Sequence, residues 1–128
     1  MADAEARQAT AAAVAAVRDL SLSRGAAARV GRAALAGLPG FTSGDAPASA
    51  VLTAAAPDRR AVYDRRAHAG LRSLGIPLPH SRGRYSRYID VIDRLLAAAP
   101  DPVRTWTPRE TDTALSCLPS LSPAPPSA

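Results

Sequence analysis

No lysine occurs among the 128 residues; all 16 basic side chains are arginine. This excludes a lysine nucleophile and a lysine Schiff base. A GC-rich genome, whose codons favour Ala, Arg, Gly and Pro, accounts for the bias, but its chemical consequence stands regardless. Guanidinium forks suit phosphates and base edges. Cys117 is the single cysteine, so neither an internal disulfide nor a cysteine metal cage can form. His68 and His80 stand 12 residues apart with no third ligand at a metal-binding spacing, so neither a metal nor a cofactor is expected. Aromatic residues make up 4% of the chain, which implies a thin core of closely packed alanine helices. No apolar run is long enough to cross a membrane. The opening segment carries Asp3 and Glu5 where a signal peptide would carry positive charge, so it reads as a helix. The expected compartment is the cytoplasm, and a lone thiol is compatible with a reducing environment.

What remains is an alanine-rich chain of net charge +5, 47% hydrophobic, long enough for one domain with a modest core. Residues 3–19 read as a first helix. Ser23 is placed to cap a second over 24–37, with Val30, Ala34, Leu35 and Leu38 on its apolar stripe. Leu38-Pro39-Gly40 stops it. Asp45 reads as the N-cap of a short helix over 46–56, with Pro47 in its first turn. Val62-Tyr63 is a buried-looking pair, and Asp64 caps a helix over 65–74 that Gly75 closes. Residues 84–98 form the clearest amphipathic helix, through Tyr85, Tyr88, Ile89, Ile92, Leu95 and Leu96. Thr107-Pro108-Arg109-Glu110 has the pattern of a capping box and opens a last helix reaching about Leu118. The expectation is an all-α single domain over 1–118, with a disordered Pro-rich tail over 119–128.

Residues 25–56 read as a helix-hairpin-helix segment, followed by an aspartate that opens another helix. Two helices joined by a glycine-bearing hairpin can aim backbone N–H groups at a phosphate. Pro39, Gly40, Gly44 and Asp45 are the hairpin candidates, with Arg65, Arg66 and Arg84 as nearby cations. Each position also has a structural reading. The hairpin can be an ordinary helical turn, the arginines a solvated surface, and Asp64 an N-cap alone. Tyr85 and Tyr88 alternate with Arg84 and Arg87 as a stacking surface would, yet they share the apolar stripe and read more simply as core. Trp106 reads as part of a hydrophobic staple, His80 as a loop residue and Cys117 as an inert small apolar side chain.

Leu38-Pro39-Gly40, the helix around Ala48-Ser49-Ala50-Val51-Leu52, and Val62-Tyr63-Asp64-Arg65-Arg66 together resemble the helix-hairpin-helix DNA glycosylase superfamily. In that family an L-P-G hairpin is followed by a short helix, then by an apolar pair and a catalytic aspartate. The step from Ala48 to Asp64 matches that distance. The resemblance covers about half the chain and extends more loosely to GRYSRYIDVIDRLLAAAPDPVRTWTPRETDTAL, similar in style to glycosylase-fold proteins of high-GC bacteria. The hairpin is about two residues longer than the family's, and Ala46 stands near where bifunctional members carry a lysine. The chain is also short for a family whose base pocket lies between two helical halves.

The resemblance implies DNA as partner and, in an active member, monofunctional removal of a damaged base. Asp64 would then be the catalytic carboxylate, stabilising oxocarbenium-like charge at the sugar after the base leaves the stack. From another class stands a non-catalytic helical interaction module, in which the 84–98 helix docks a protein partner.

Overall fold

A computed structural model describes residues 2–121, and these fold into six α-helices with no strand among them. The helices are α1 (Asp3–Arg18), α2 (Arg24–Leu35), α3 (Ala46–Ala55), α4 (Arg65–Ser73), α5 (Arg84–Ala98) and α6 (Pro108–Leu121), with a 3-10 turn over Val103–Thr105. No helix of the described residues is long and apolar enough to cross a membrane.

Local chemistry sets most of the boundaries. The Ser23 hydroxyl accepts from the Ala26 N–H and starts α2; the Asp64 carboxylate accepts from the Ala67 N–H at 2.8 Å and starts α4. At the start of α6 the Glu110 carboxylate takes the Thr107 N–H while the Thr107 hydroxyl takes the Glu110 N–H. Helix α4 ends on Gly75 at φ +74, with Ile76 N–H bonded to Leu71 O and Gly75 N–H to Arg72 O. That double closure satisfies carbonyls the helix leaves open, and a side chain at this φ would strain it.

Three expectations are corrected. Asp45 precedes α3 but its side chain caps nothing; both carboxylate oxygens are drawn to arginines instead. Val30 is exposed, and the inner face of α2 is Ala27, Ala28, Gly31 and Leu35. Gly31 takes the position facing Val17 and Leu52, where a Cβ would lie 2.8 Å and 3.0 Å from their methyl carbons. Helix α6 runs through Pro119 to Leu121 rather than ending near Leu118. Proline's fixed φ is helical, so it is tolerated in the last turn, at the loss of one N–H. That N–H would have met the Leu115 carbonyl, which lies against Gly70 of α4. The remainder of the expected tail, 122–128, lies outside the described residues.

Helix α1 packs on α2 and α3, α2 also on α3 and α5, and α4 on α6. Helix α5 joins the two groups. Its Tyr85, Tyr88, Ile89, Val91, Ile92 and Leu96 are buried, so its apolar face belongs to the core. Each fully buried aliphatic of that set contributes about 1.5–3 kcal/mol. The buried residues form one cluster running from Ala13 to Leu115.

Candidate functional site

Between α3 and α4 the chain turns over 57–59 and then crosses the core over 60–63 without a strand partner. Buried N–H and C=O groups must still be paired, and four side chains from three helices pair them. The Ser49 hydroxyl of α3 accepts the Tyr63 N–H at 2.9 Å. The Tyr85 hydroxyl donates to Ala61 O and the Tyr88 hydroxyl to Val62 O, each at 2.9 Å. Asp112 of α6 accepts the Val62 N–H at 2.7 Å. Asp64 is thus delivered by a segment bonded to α3, α5 and α6 at once.

Burial dominates the protonation behaviour of these anchors. It pushes the Tyr85 phenol up to about 12 and the Tyr88 phenol higher still, so both remain hydroxyl donors. It raises Asp112 from the ordinary carboxylate value, against the lowering effect of the Val62 N–H and of Arg109, with which Asp112 pairs.

The α2–α3 connection is a ten-residue loop, 36–45, between two helices. Gly40 and Gly44 take φ +87 and +70, left-handed conformations open to glycine. The loop closes through Leu38 N–H to Leu35 O and Phe41 N–H to Leu38 O, while Leu38 is buried beneath it. Residues 42–44 are exposed, and their backbone N–H groups meet no acceptor among the described residues. Asp45 closes the hairpin, accepting from Arg32 Nε at 3.0 Å and Arg84 Nε at 2.9 Å.

Arg84 joins the hairpin to the Asp64 segment. Its guanidinium carbon lies 4.5 Å from the Tyr63 ring centroid while its Nε holds Asp45. It also pairs with His80 Nδ1. His80 stacks on His68 at 5.4 Å, and His68 Nδ1 lies 2.6 Å from the Tyr63 hydroxyl. Asp45, Arg84, His80, His68 and Tyr63 therefore form one contiguous polar network beside Asp64. Burial first, then His80, Arg84 and Arg72, lower the pKa of His68.

The expected cations divide by role. Arg65 is exposed; Arg66 donates to Ser116 O and to the Ser120 hydroxyl; Arg84 is largely enclosed by its partners. Arg59 ties Leu22 O, and Arg87 ties Pro79, Ser81 and Arg82 in the preceding loop. Several of the arginines thus clamp backbone. On the other flank of the hairpin lies a cleft of about 690 Å³, reached by Arg29, Arg32, Arg82 and Arg84 and by the first turn of α5.

Sequence reasoning missed Asp112 and Ser49 as supports of the Asp64 segment. Ser49 lies three residues from the N-terminus of α3, on the face toward Tyr63, and its spacing carries no pattern that reveals this. Arg60 is fully buried, and its Nε, Nη1 and Nη2 have no partner among the described residues. Burial lowers its pKa. Among the described residues no group of three or more His, Cys, Asp or Glu side chains gathers at metal-binding distance. No protein-family model, curated protein or solved structure matches this chain.

Proposed function

We propose that the chain binds DNA through the hairpin between α2 and α3, as a divergent member of the helix-hairpin-helix glycosylase-like proteins it resembles. One observation carries this reading: exposed backbone N–H groups of residues 42–44 lack acceptors in a hairpin bracketed by Gly40 and Gly44. Phosphate oxygens complete such donors, and the contact carries no base preference. The net charge of +5 adds attraction that weakens linearly with the logarithm of salt concentration.

The test is fluorescence anisotropy on a short duplex, with and without an abasic site, across a salt series. Gly40→Asp and Ser43→Asp each place a carboxylate on the hairpin. Ser43 has no positive φ, so its variant separates charge from backbone strain. Both variants are expected to weaken binding across sequences. Unchanged binding in both removes the hairpin from the interface.

A second reading, monofunctional base removal, draws on the anchoring of Asp64. One of its oxygens caps α4, and the other remains to face a sugar. A carboxylate fixed by three helices needs little reorganisation to meet developing positive charge. Asp64→Asn retains a capping oxygen and is expected to fold normally and release no base from a damaged duplex. Equal product from both proteins excludes the role. The alternative, a helical interaction module that docks a protein partner through α5, would use its exposed polar side with Asp90 and Arg94, since the apolar side is core.

A further inference from the structure

The geometry points to a phosphate-binding site in the arginine cleft beside the hairpin, separate from the hairpin's own N–H groups. Four arginines, Arg29, Arg32, Arg82 and Arg84, line the cleft with a single carboxylate, Asp45, which leaves three positive charges in excess. At about 690 Å³ the cleft falls in the size range of small-ligand sites.

Its charges are fixed in place. Each oxygen of Asp45 holds one guanidinium, so the carboxylate acts as a strut between Arg32 and Arg84. Arg32 Nη2 is spent on Gly44 O, whereas its Nη1 is buried without an acceptor. A buried guanidinium N–H without a partner is costly, so Arg32 is held beside the cleft with one donor unused. Arg29 and Arg82 are exposed and hold no ion pair among the described residues. One stands on α2 and the other on the loop before α5.

Helix α5 adds the positive end of its dipole. It opens on Gly83 at φ +83 with no side-chain cap; Ser81 O takes the Arg84 N–H and Arg87 reaches over the preceding loop, so the amides of Tyr85 and Ser86 are the donors left open among the described residues. A tetrahedral oxyanion approached from several directions uses such an arrangement fully, because planar forks and backbone N–H groups reach different oxygens. The shared chemistry is a phosphate group, carried either by a nucleic-acid strand or by a free nucleotide. The strand source rests on the DNA-binding reading; the site itself does not.

The experiment is a proton–nitrogen NMR titration of the full chain with inorganic phosphate, against sodium chloride at equal ionic strength. Saturable shifts are expected at the amides of Gly83–Ser86 and at the Nε–H signals of Arg32 and Arg84. They should vanish in the Arg29→Ala/Arg82→Ala double variant, which changes exposed side chains alone. Shifts that match those in chloride, or that centre on residues 40–44, overturn the site.

Two further arms separate the sources once phosphate binds. A duplex that displaces phosphate from the cleft assigns the site to a strand, and the double variant should then lower the salt slope by about two. Adenosine monophosphate that binds where duplex does not displace phosphate assigns it to a free nucleotide. The Arg29→Ala/Arg82→Ala double variant leaves the N–H groups of residues 42–44 in place, so duplex binding that persists while phosphate binding is lost separates the hairpin reading from this one.

Discussion

The Ser49 hydroxyl receives the Tyr63 N–H at 2.9 Å, and through that bond α3 holds the residue that precedes Asp64. Ser49 is fully buried, and its hydroxyl also lies 2.9 Å from Ala46 O. Ser49→Ala leaves a buried N–H unpaired, which costs about 1–3 kcal/mol. The urea midpoint should fall accordingly, and the Asp64 amide resonance should broaden or shift. An unchanged midpoint would mean that Asp64 is positioned from the α4 side alone.

Gly70 and Leu115 set the crossing of α4 on α6. A Cβ at Gly70 would lie 2.0 Å from the Leu115 carbonyl oxygen, and the three nearest atoms all belong to the Leu115 backbone. Gly70→Ala must therefore push two helices apart, and overpacking of this kind costs about 1–3 kcal/mol or more. Gly37→Ala is the control, since nothing stands within 4 Å of its Cβ position and its φ is not positive. Its effect should stay within about 0.5 kcal/mol. Thermal unfolding of the two variants side by side checks the contrast, and equal losses would refute the close crossing.

His68 gives the fold a defined pH response. Burial, followed by His80, Arg84 and Arg72, holds its pKa below the ordinary 6.5. As pH falls, the unfolded chain takes up this proton before the folded chain does. Stability present above pH 6.5 is therefore lost as the pH drops through the folded midpoint. Carbon-bound proton shifts of the His68 ring should titrate below 6.5, and urea midpoints should decline over the same interval. His80→Ala removes the second cause and should move the midpoint upward. A midpoint at or above 6.5 in the parent protein would sink the assignment.

The helices were largely legible because their signals are local. Ser23, Asp64, Gly75 and the Thr107–Glu110 pair each act within a few residues of themselves. The inner face of α2 was not legible from hydrophobicity, since Gly31 earns its place by having no side chain where Val17 and Leu52 converge. Asp45 reads locally as a cap, yet its partners Arg32 and Arg84 lie 13 and 39 residues away. Competition between a helix N–H and two guanidiniums is decided by tertiary packing, and the charged donors win. The anchoring of 61–63 was hidden for the same reason: Tyr85 and Tyr88 read as core, which they are, while their hydroxyls act on backbone 24 and 26 residues upstream.

Arg60 sits beside that anchored segment, fully buried, with Nε, Nη1 and Nη2 unpartnered among the described residues. Burial disfavours its charged form and lowers its pKa, so the native state carries a desolvation cost. Met has a similar reach and no hydrogen-bonding donor. Replacement of buried ionic groups by apolar ones of like volume stabilises by about 1–4 kcal/mol where it succeeds. Arg60→Met should therefore raise the urea midpoint without altering the slope of the transition. If the midpoint falls instead, the guanidinium is satisfied in solution, and Arg60 belongs among the anchors of the 61–63 segment alongside Ser49 and Asp112. A raised midpoint together with weakened duplex binding would instead mark Arg60 as a charge retained for the partner, at the expense of the fold.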